Sequence, residues 1–264
     1  MSLFALLIVA LMLILAIALP FVFVRRVTGG RSVSRRPLPA LDELNSALAR
    51  AAETGQPIHL SPGAGALHGT TINPETFAGL LLAQRVTDIA ASRGATVSAS
   101  SGDAVSHLAL RGMIRSAYRD AGYSEDYDPD SVCLYADHDP LAFAVGMSNR
   151  VDHDPMDASV TVGAFGESYL VFGEPARQRG IKQVAGTADQ SSLVGALLTA
   201  DGTLIGEEIY AAETYTNPSP MGITRLLTHD ALRWVLIVIL IVGILLVTLA
   251  DFGILATDFP LLPR

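Results

Sequence analysis

Two long apolar runs bracket a patterned middle. Leu3 to Val24 carries no charge, and neither does Trp234 to Ala250. Asp251 is the only charge before a further apolar stretch to Ala256. A helix needs about 20 apolar residues to cross about 30 Å of hydrocarbon, so each run predicts a membrane span. Between them the period changes. From Pro39, residues Leu41, Leu44, Leu48 and Ala51 fall on one helical face, and Gly55 stops the helix. Pro57 to Leu60 reads as a short strand. Asn73-Pro74-Glu75 supplies an N-cap, a first-turn proline and a first-turn acid, followed by a stripe of Phe77, Leu80, Leu81 and Ile89. Gly94 ends that helix, and Thr96 to Ala99 is the next strand. Asp103 or a nearby serine opens a helix through Leu108 and Ile114, ended by Gly122. An acidic loop, Glu125 to Asp130, leads to a strand over Ser131 to Ala136, and Asp139-Pro140 starts a helix through Phe143 and Met147.

The alternation continues. Ser159 to Ala164 reads as a strand, Glu167 to Arg179 as a helix stopped by Gly180, and Gln183 to Ala185 as a strand. Gln190 to Thr199 is helical, and Thr203 to Tyr210 holds the last strand. Helices alternating with short apolar strands predict an α/β fold, a mostly parallel Rossmann-like sheet domain with one transmembrane helix at each end. No residue-level repeat is present, which argues against a solenoid. The expected organisation is a span at 1–24, a basic juxtamembrane linker at 25–38, the α/β domain at 39–216, a linker at 217–232, a second span at 233–256 and a short tail at 257–264.

Charge fixes the expected orientation. Only Met1 and Ser2 precede the first run, so a cleaved signal peptide would lack its basic leading segment, although Ala16-Ile17-Ala18 passes as a cleavage signature. Arg25, Arg26, Arg31, Arg35 and Arg36 follow the run, and Arg225 and Arg233 precede the second, where Trp234 suits an interface. The positive-inside rule then places both termini outside and the central domain in the cytoplasm of a two-span cell-membrane protein. Asp251 reads as a marker of the outer interface, and a lone Gly243 is weak as a packing motif. The net charge of −8 argues against nucleic acid as a partner. The partners this leaves are the lipid bilayer, further copies of the chain or other membrane proteins, and a small-molecule ligand. Cys133, the single cysteine, sits in an apolar run and reads as a core thiol in a reducing compartment.

Open α/β sheets bind ligands at the carboxyl ends of their strands. The loop Ser61 to Gly69 is the richest candidate, with Ser61, Gly63, Gly65, His68 and Gly69. Its free N–H groups could hold an anion. Its glycine spacing is not that of a dinucleotide fingerprint, no Gly-Lys-Ser/Thr follows, and His59 breaks a nucleophile elbow. Gly163 and Glu167 after one predicted strand, and Glu207 and Glu208 near another, complete the candidate ligand-binding set. Carboxylates there could share acid–base work, whereas capping and solvation are their commoner fates. Two Asp-His-Asp-Pro stretches, Asp137 to Pro140 and Asp152 to Pro155, carry metal-ligand residue types but lie at opposite ends of one helix, so no metal is expected. No cofactor and no catalytic residue is specified.

The phrases His59-Leu60-Ser61-Pro62-Gly63, His68-Gly69, Gly163-Ala164-Phe165-Gly166, Gln183-Val184-Ala185-Gly186-Thr187 and Gly206-Glu207-Glu208-Ile209 resemble the shared stretches of domain-of-unknown-function family 6754. The resemblance covers most of the chain and implies an anchored prokaryotic membrane protein. It transfers no catalytic residue. Two functions follow as expectations. The first is a non-catalytic structural or assembly protein that presents a cytoplasmic α/β domain within a homo-oligomer or larger membrane complex. The alternative is a small-molecule-binding or enzymatic domain using the Gly63–Gly69 loop with Glu207 or Glu208. Transport is weaker, since neither span carries a polar stripe.

Overall fold

A computed structural model describes residues 3–29, 36–69, 72–137 and 139–251. Contacts divide the chain into two compact units, 1–35 with 218–264, and 36–217. His138, Arg31, Arg35 and the tail beyond Asp251 lie outside the described residues.

The first unit contains α1 (Leu3–Thr28), which packs along the final helix of the chain. That helix begins at Pro220 and runs unbroken to Asp251, so 220–232, expected as linker, is helical from its start. Both helices are long and apolar enough to cross a membrane. Their side chains point outward, with Leu13, Ile14, Phe21, Leu240 and Ile244 all exposed. Such a surface is stable in hydrocarbon and costly in water.

The second unit is α2 (Pro39–Thr54), β1 (Ile58–Gly63), α3 (Pro74–Ser92), β2 (Val97–Ser101), α4 (Ala104–Asp120), β3 (Val132–Leu134), α5 (Pro140–His153), β4 (Ala158–Ala164), α6 (Tyr169–Gln178), β5 (Lys182–Thr187), α7 (Gln190–Thr199), β6 (Gly202–Ile205) and α8 (Glu208–Thr216). The final helix is α9 (Pro220–Asp251). Local signals explain most boundaries. The Asn73 side chain accepts from the N–H groups of Glu75 and Thr76, Asp103 from Ser106, and Asp139 from Leu141 and Ala142. Each satisfies first-turn donors that the helix itself leaves unpaired. Gly55 closes α2 in the left-handed conformation that glycine adopts at no steric cost.

The six strands are all parallel, in the order β3-β2-β1-β4-β5-β6. The order reverses between β1 and β4, which makes their carboxyl ends the switch point of a doubly wound sheet. Helices α2, α3, α4 and α8 cover one face, and α5, α6 and α7 cover the other. Under the first group lie Ile58, Leu60, Val97, Ala99, Val160, Val162, Val184 and Leu204, all buried. Under the second the strands are polar. Ser98, His59, Ser159 and Gln183 stand in register across β2, β1, β4 and β5, and each is buried.

Within the sheet domain, several elements differ from the sequence expectation. The last strand ends at Ile205, and Glu208 to Tyr210 begin α8 instead. Glu167 precedes α6, in a short 3-10 turn over Gly166–Ser168. On α3, Leu80 is buried as expected and Ile89 packs against the core, but Phe77 is 54% exposed, and Ala78, Leu82, Val86 and Ala90 complete the packed face. On α4, Leu108 is exposed while Leu110 and Ile114 are buried.

Candidate functional site

The carboxyl edge of the sheet gathers Ser61 and Gly63 in the last residues of β1, Gly65, His68 and Gly69 in the loop that follows, Gly163 near the end of β4 and Glu167 just beyond it. At the switch point these two strands do not splay apart. Their pairing continues past a register shift to Gly63 opposite Ala164, and the Ala64 N–H donates to the Ala164 carbonyl at 2.9 Å. The backbones touch. A Cβ on Gly63, whose φ is +88°, would stand 2.0 Å from the Ala164 oxygen, and one on Gly163 would stand 2.0 Å from the Pro62 oxygen. Gly65 is pressed against Thr76, Ala164 and Asn73. The lacing extends sideways, because the Gly102 N–H donates to the Gly63 carbonyl at 3.1 Å. Within the loop, the Gly63 N–H goes to the Ser61 hydroxyl and the Asn73 N–H to the Ala66 carbonyl.

The helix that follows β1 is sealed in the same way. A dinucleotide fold leaves the first-turn N–H groups of this helix pointing at the pyrophosphate. In α3 the Asn73 carboxamide oxygen takes two of them, and Pro74 has no N–H to offer. The Glu75 carboxylate then reaches across to β5, accepting from the Ala188 N–H at 3.0 Å and the Thr187 hydroxyl at 3.2 Å. A fixed negative charge therefore stands at the positive end of the helix dipole, where a bound anion would otherwise find its stabilisation. Burial, and then this carboxylate, raise the hydroxyl of Tyr210 on α8 above the usual tyrosine value. Glu75 was visible in the sequence only as a first-turn acid; its reach across β4 was not.

The other candidates scatter. Glu167 and Glu207 are exposed. The Glu208 carboxylate accepts the Ile205 N–H at 3.1 Å and so closes the β6–α8 turn. Because β6 lies two strands from β4, about 10 Å at ordinary strand spacing, these acids do not start from one point. The two Asp-His-Asp-Pro stretches sit at opposite ends of α5, with Asp139 capping it and Asp154 pairing with Arg150 at 3.2 Å. Among the described residues no group of three or more histidine, cysteine or acidic side chains is placed to hold a metal ion.

One pair does come together. His68 Nδ1 lies 2.8 Å from Asp103 Oδ1, with the carboxylate almost wholly buried and the imidazole 41% exposed. Burial would raise the Asp103 carboxyl. The backbone N–H and side chain of Ser106, the His68 ring and the Leu67 N–H outweigh it and hold the group below the usual carboxylate range. Asp103 thus stays ionised and orients the ring. The sequence offers Asp103 or a nearby serine as a cap, and His68 as either a ligand-facing group or a hydrogen-bonded structural histidine, but 35 positions separate the two and nothing local joins them.

Two surface cavities, of about 360 and 320 Å³, open at the opposite, amino edge of the sheet. One is lined by Tyr118, Tyr127, Arg150 and several aspartates, the other by Arg177, Lys182 and the end of α7. Cys133 belongs near the first. It is half-buried rather than a core thiol, and an Arg150 Nη donates to its sulfur at 2.9 Å.

The fold and this edge define a class: a parallel, doubly wound α/β domain carried between two helices apolar enough to span a membrane. The chain belongs to the family described as Domain of unknown function (DUF6754), whose sequence model matches residues 1–257. No curated protein and no solved structure matched it.

Proposed function

We propose that this chain is a membrane-anchored assembly protein, in which two spans tether a non-catalytic α/β domain that works by contact with further copies of itself or with other membrane proteins. The observation that carries the reading is the sealed switch point. The crevice where a doubly wound sheet would take a ligand is occupied by β1–β4 backbone pairing, and the α3 terminus is capped by Asn73 and Glu75. Arg25 and Arg26 at the end of α1, with Arg225 and Arg233 in α9, support a cytoplasmic domain with both termini outside.

A second reading rests on a specific pair. His68, held by ionised Asp103 at the same edge, has the geometry of an oriented base or ligand contact. Thermal unfolding of the full chain in mild detergent, with nucleotides, sugars and divalent metals added in turn, separates the two. The assembly reading expects no ligand-specific shift. A shift of several degrees that is lost in His68→Ala would move the function to the second reading.

A further inference from the structure

Helix α7 is inverted. Its buried arc is Ser192, Gly195, Ala196 and Thr199, small or hydroxylated residues that suit the polar sheet face beneath. Its outward arc carries Val194, Leu197 and Leu198, which are 60%, 52% and 57% exposed. At 100° per residue these three fall within one narrow stripe. Leu170 of α6 is 42% exposed and borders the stripe, since a Cβ on Gly195 would stand 3.2 Å from its Cγ. The ten residues of α7 contain no charge. A surface helix ordinarily turns the opposite face to water.

The ends of the stripe differ in sign. Asp189 caps the amino end of α7. Arg177, exposed on α6, donates to the Leu198 carbonyl at the carboxyl end. We infer that the α6–α7 face is a self-association surface, closed by a second copy of this chain about a two-fold axis, with the α7 helices antiparallel. In that arrangement the two apolar stripes cover each other with Val194 near the axis, and Asp189 of each copy faces Arg177 of the other. The same patch serves both partners, as a two-fold interface requires. A lipid surface fits the face less well, because helices that lie on bilayers flank their apolar stripe with Lys and Arg and α7 has neither. Confinement of two anchored copies to one membrane raises their effective concentration, so a modest apolar patch is enough to pair them.

The inference rests on the assembly reading, and one experiment separates their failures. Full-length chain carrying Cys133→Ala receives a single cysteine, Val194→Cys or, as a control on the exposed part of α3, Phe77→Cys. Mild oxidation in native membranes is expected to link Val194→Cys into a covalent dimer and to leave Phe77→Cys monomeric. In parallel, Leu197→Asp with Leu198→Asp is expected to weaken dimerisation by tenfold or more, on the scale of a disrupted interface centre. Asp189→Arg is expected to weaken it too, and Asp189→Arg combined with Arg177→Asp to restore it. An oligomer that persists in the Leu197/Leu198 variant, with no Val194 cross-link, overturns this face while leaving assembly intact. Cross-linking of Val194→Cys to a different protein overturns the second copy as occupant. A partner-free monomer throughout overturns both.

Discussion

The two faces of the sheet solve the same packing problem with opposite chemistry. Under α2, α3, α4 and α8 the strands present Ile, Leu, Val and Ala, and the face is held by burial of hydrocarbon. Under α5, α6 and α7 they present Ser, His, Thr and Gln, and every hydrogen bond must be matched. His59 sits between the hydroxyls of Ser159 at 3.2 Å and Ser100 at 2.9 Å. Thr161 meets the Tyr169 hydroxyl at 2.9 Å, and the Gln183 amide donates to the Gly173 and Thr199 carbonyls. The first face tolerates changes of shape at a cost that scales with volume. The second is directional, and a missing partner strands a buried polar atom. The helices follow suit: α2 turns its leucines inward, and α7 turns them outward.

The contrast can be broken most severely where backbone meets backbone. A Cβ on Gly79 of α3 would stand 1.9 Å from the Val162 carbonyl oxygen. Gly79→Val should therefore cost more than about 3 kcal/mol and abolish the domain's cooperative melting in detergent. A near-normal melt would show that α3 does not approach β4 so closely. On the apolar face, Leu60→Ala should cost about 2–5 kcal/mol, read as a drop in unfolding temperature at every pH.

The polar face should answer to pH instead. Burial, and then the Arg150 charge, push the His59 imidazole from 6.5 down to about 3. Its folded value lies below its unfolded one, so as pH falls the unfolded chain takes up the proton first. Stability is full above about pH 6.5 and is lost as pH falls toward 3. The slope approaches roughly 1.4 kcal/mol per pH unit in that window. Asp103, whose value is also lowered, adds a loss of the same sign only as pH falls below its ordinary 3.8, outside the range from pH 7 to pH 4. Unfolding followed from pH 7 to pH 4 should be steeper for the native chain than for His59→Gln, and equal slopes would remove His59 as the cause.

A smaller effect tests directionality. Thr161→Val removes one of the two side-chain partners of the buried Tyr169 hydroxyl, Thr199 being the other, and should cost about 1 kcal/mol, whereas Thr161→Val with Tyr169→Phe should recover much of that. Additive losses would mean the pair is not coupled. Smallest of all, Leu198→Ser on the exposed arc of α7 should leave unfolding within about 0.5 kcal/mol while lowering association.

The contrast between the faces also explains what the sequence could and could not reveal. Helix starts at Asn73, Asp103 and Asp139 were legible because caps act within three residues. The α/β class was legible because strand and helix periods differ. Of the α3 stripe, Leu80 is buried but Phe77 is not, because the packing face also takes in small residues such as Ala78 and Gly79, and Gly79 contributes closeness rather than hydrophobicity. The final strand is shorter than its sequence pattern suggests because Gly206 turns the chain at φ +60° into α8, and a glycine alone does not say which element follows. The candidate residues lie at or near the carboxyl ends of strands, Ser61, Gly63 and Gly163 still within them. Their lacing across β1 and β4, the reach of Glu75 and the His68–Asp103 pair all depend on strand order, which no local pattern encodes.

The proposed role as an assembly module rests on a sealed sheet edge and two apolar helices. Native mass spectrometry of the full chain, released from its own membranes in lipid nanodiscs, tests it most directly. The account predicts a discrete complex of at least two copies, or of one copy with another membrane protein, with no small molecule bound to the domain. A partner-free monomer, or a monomer carrying a stoichiometric ligand released by His68→Ala, would contradict it.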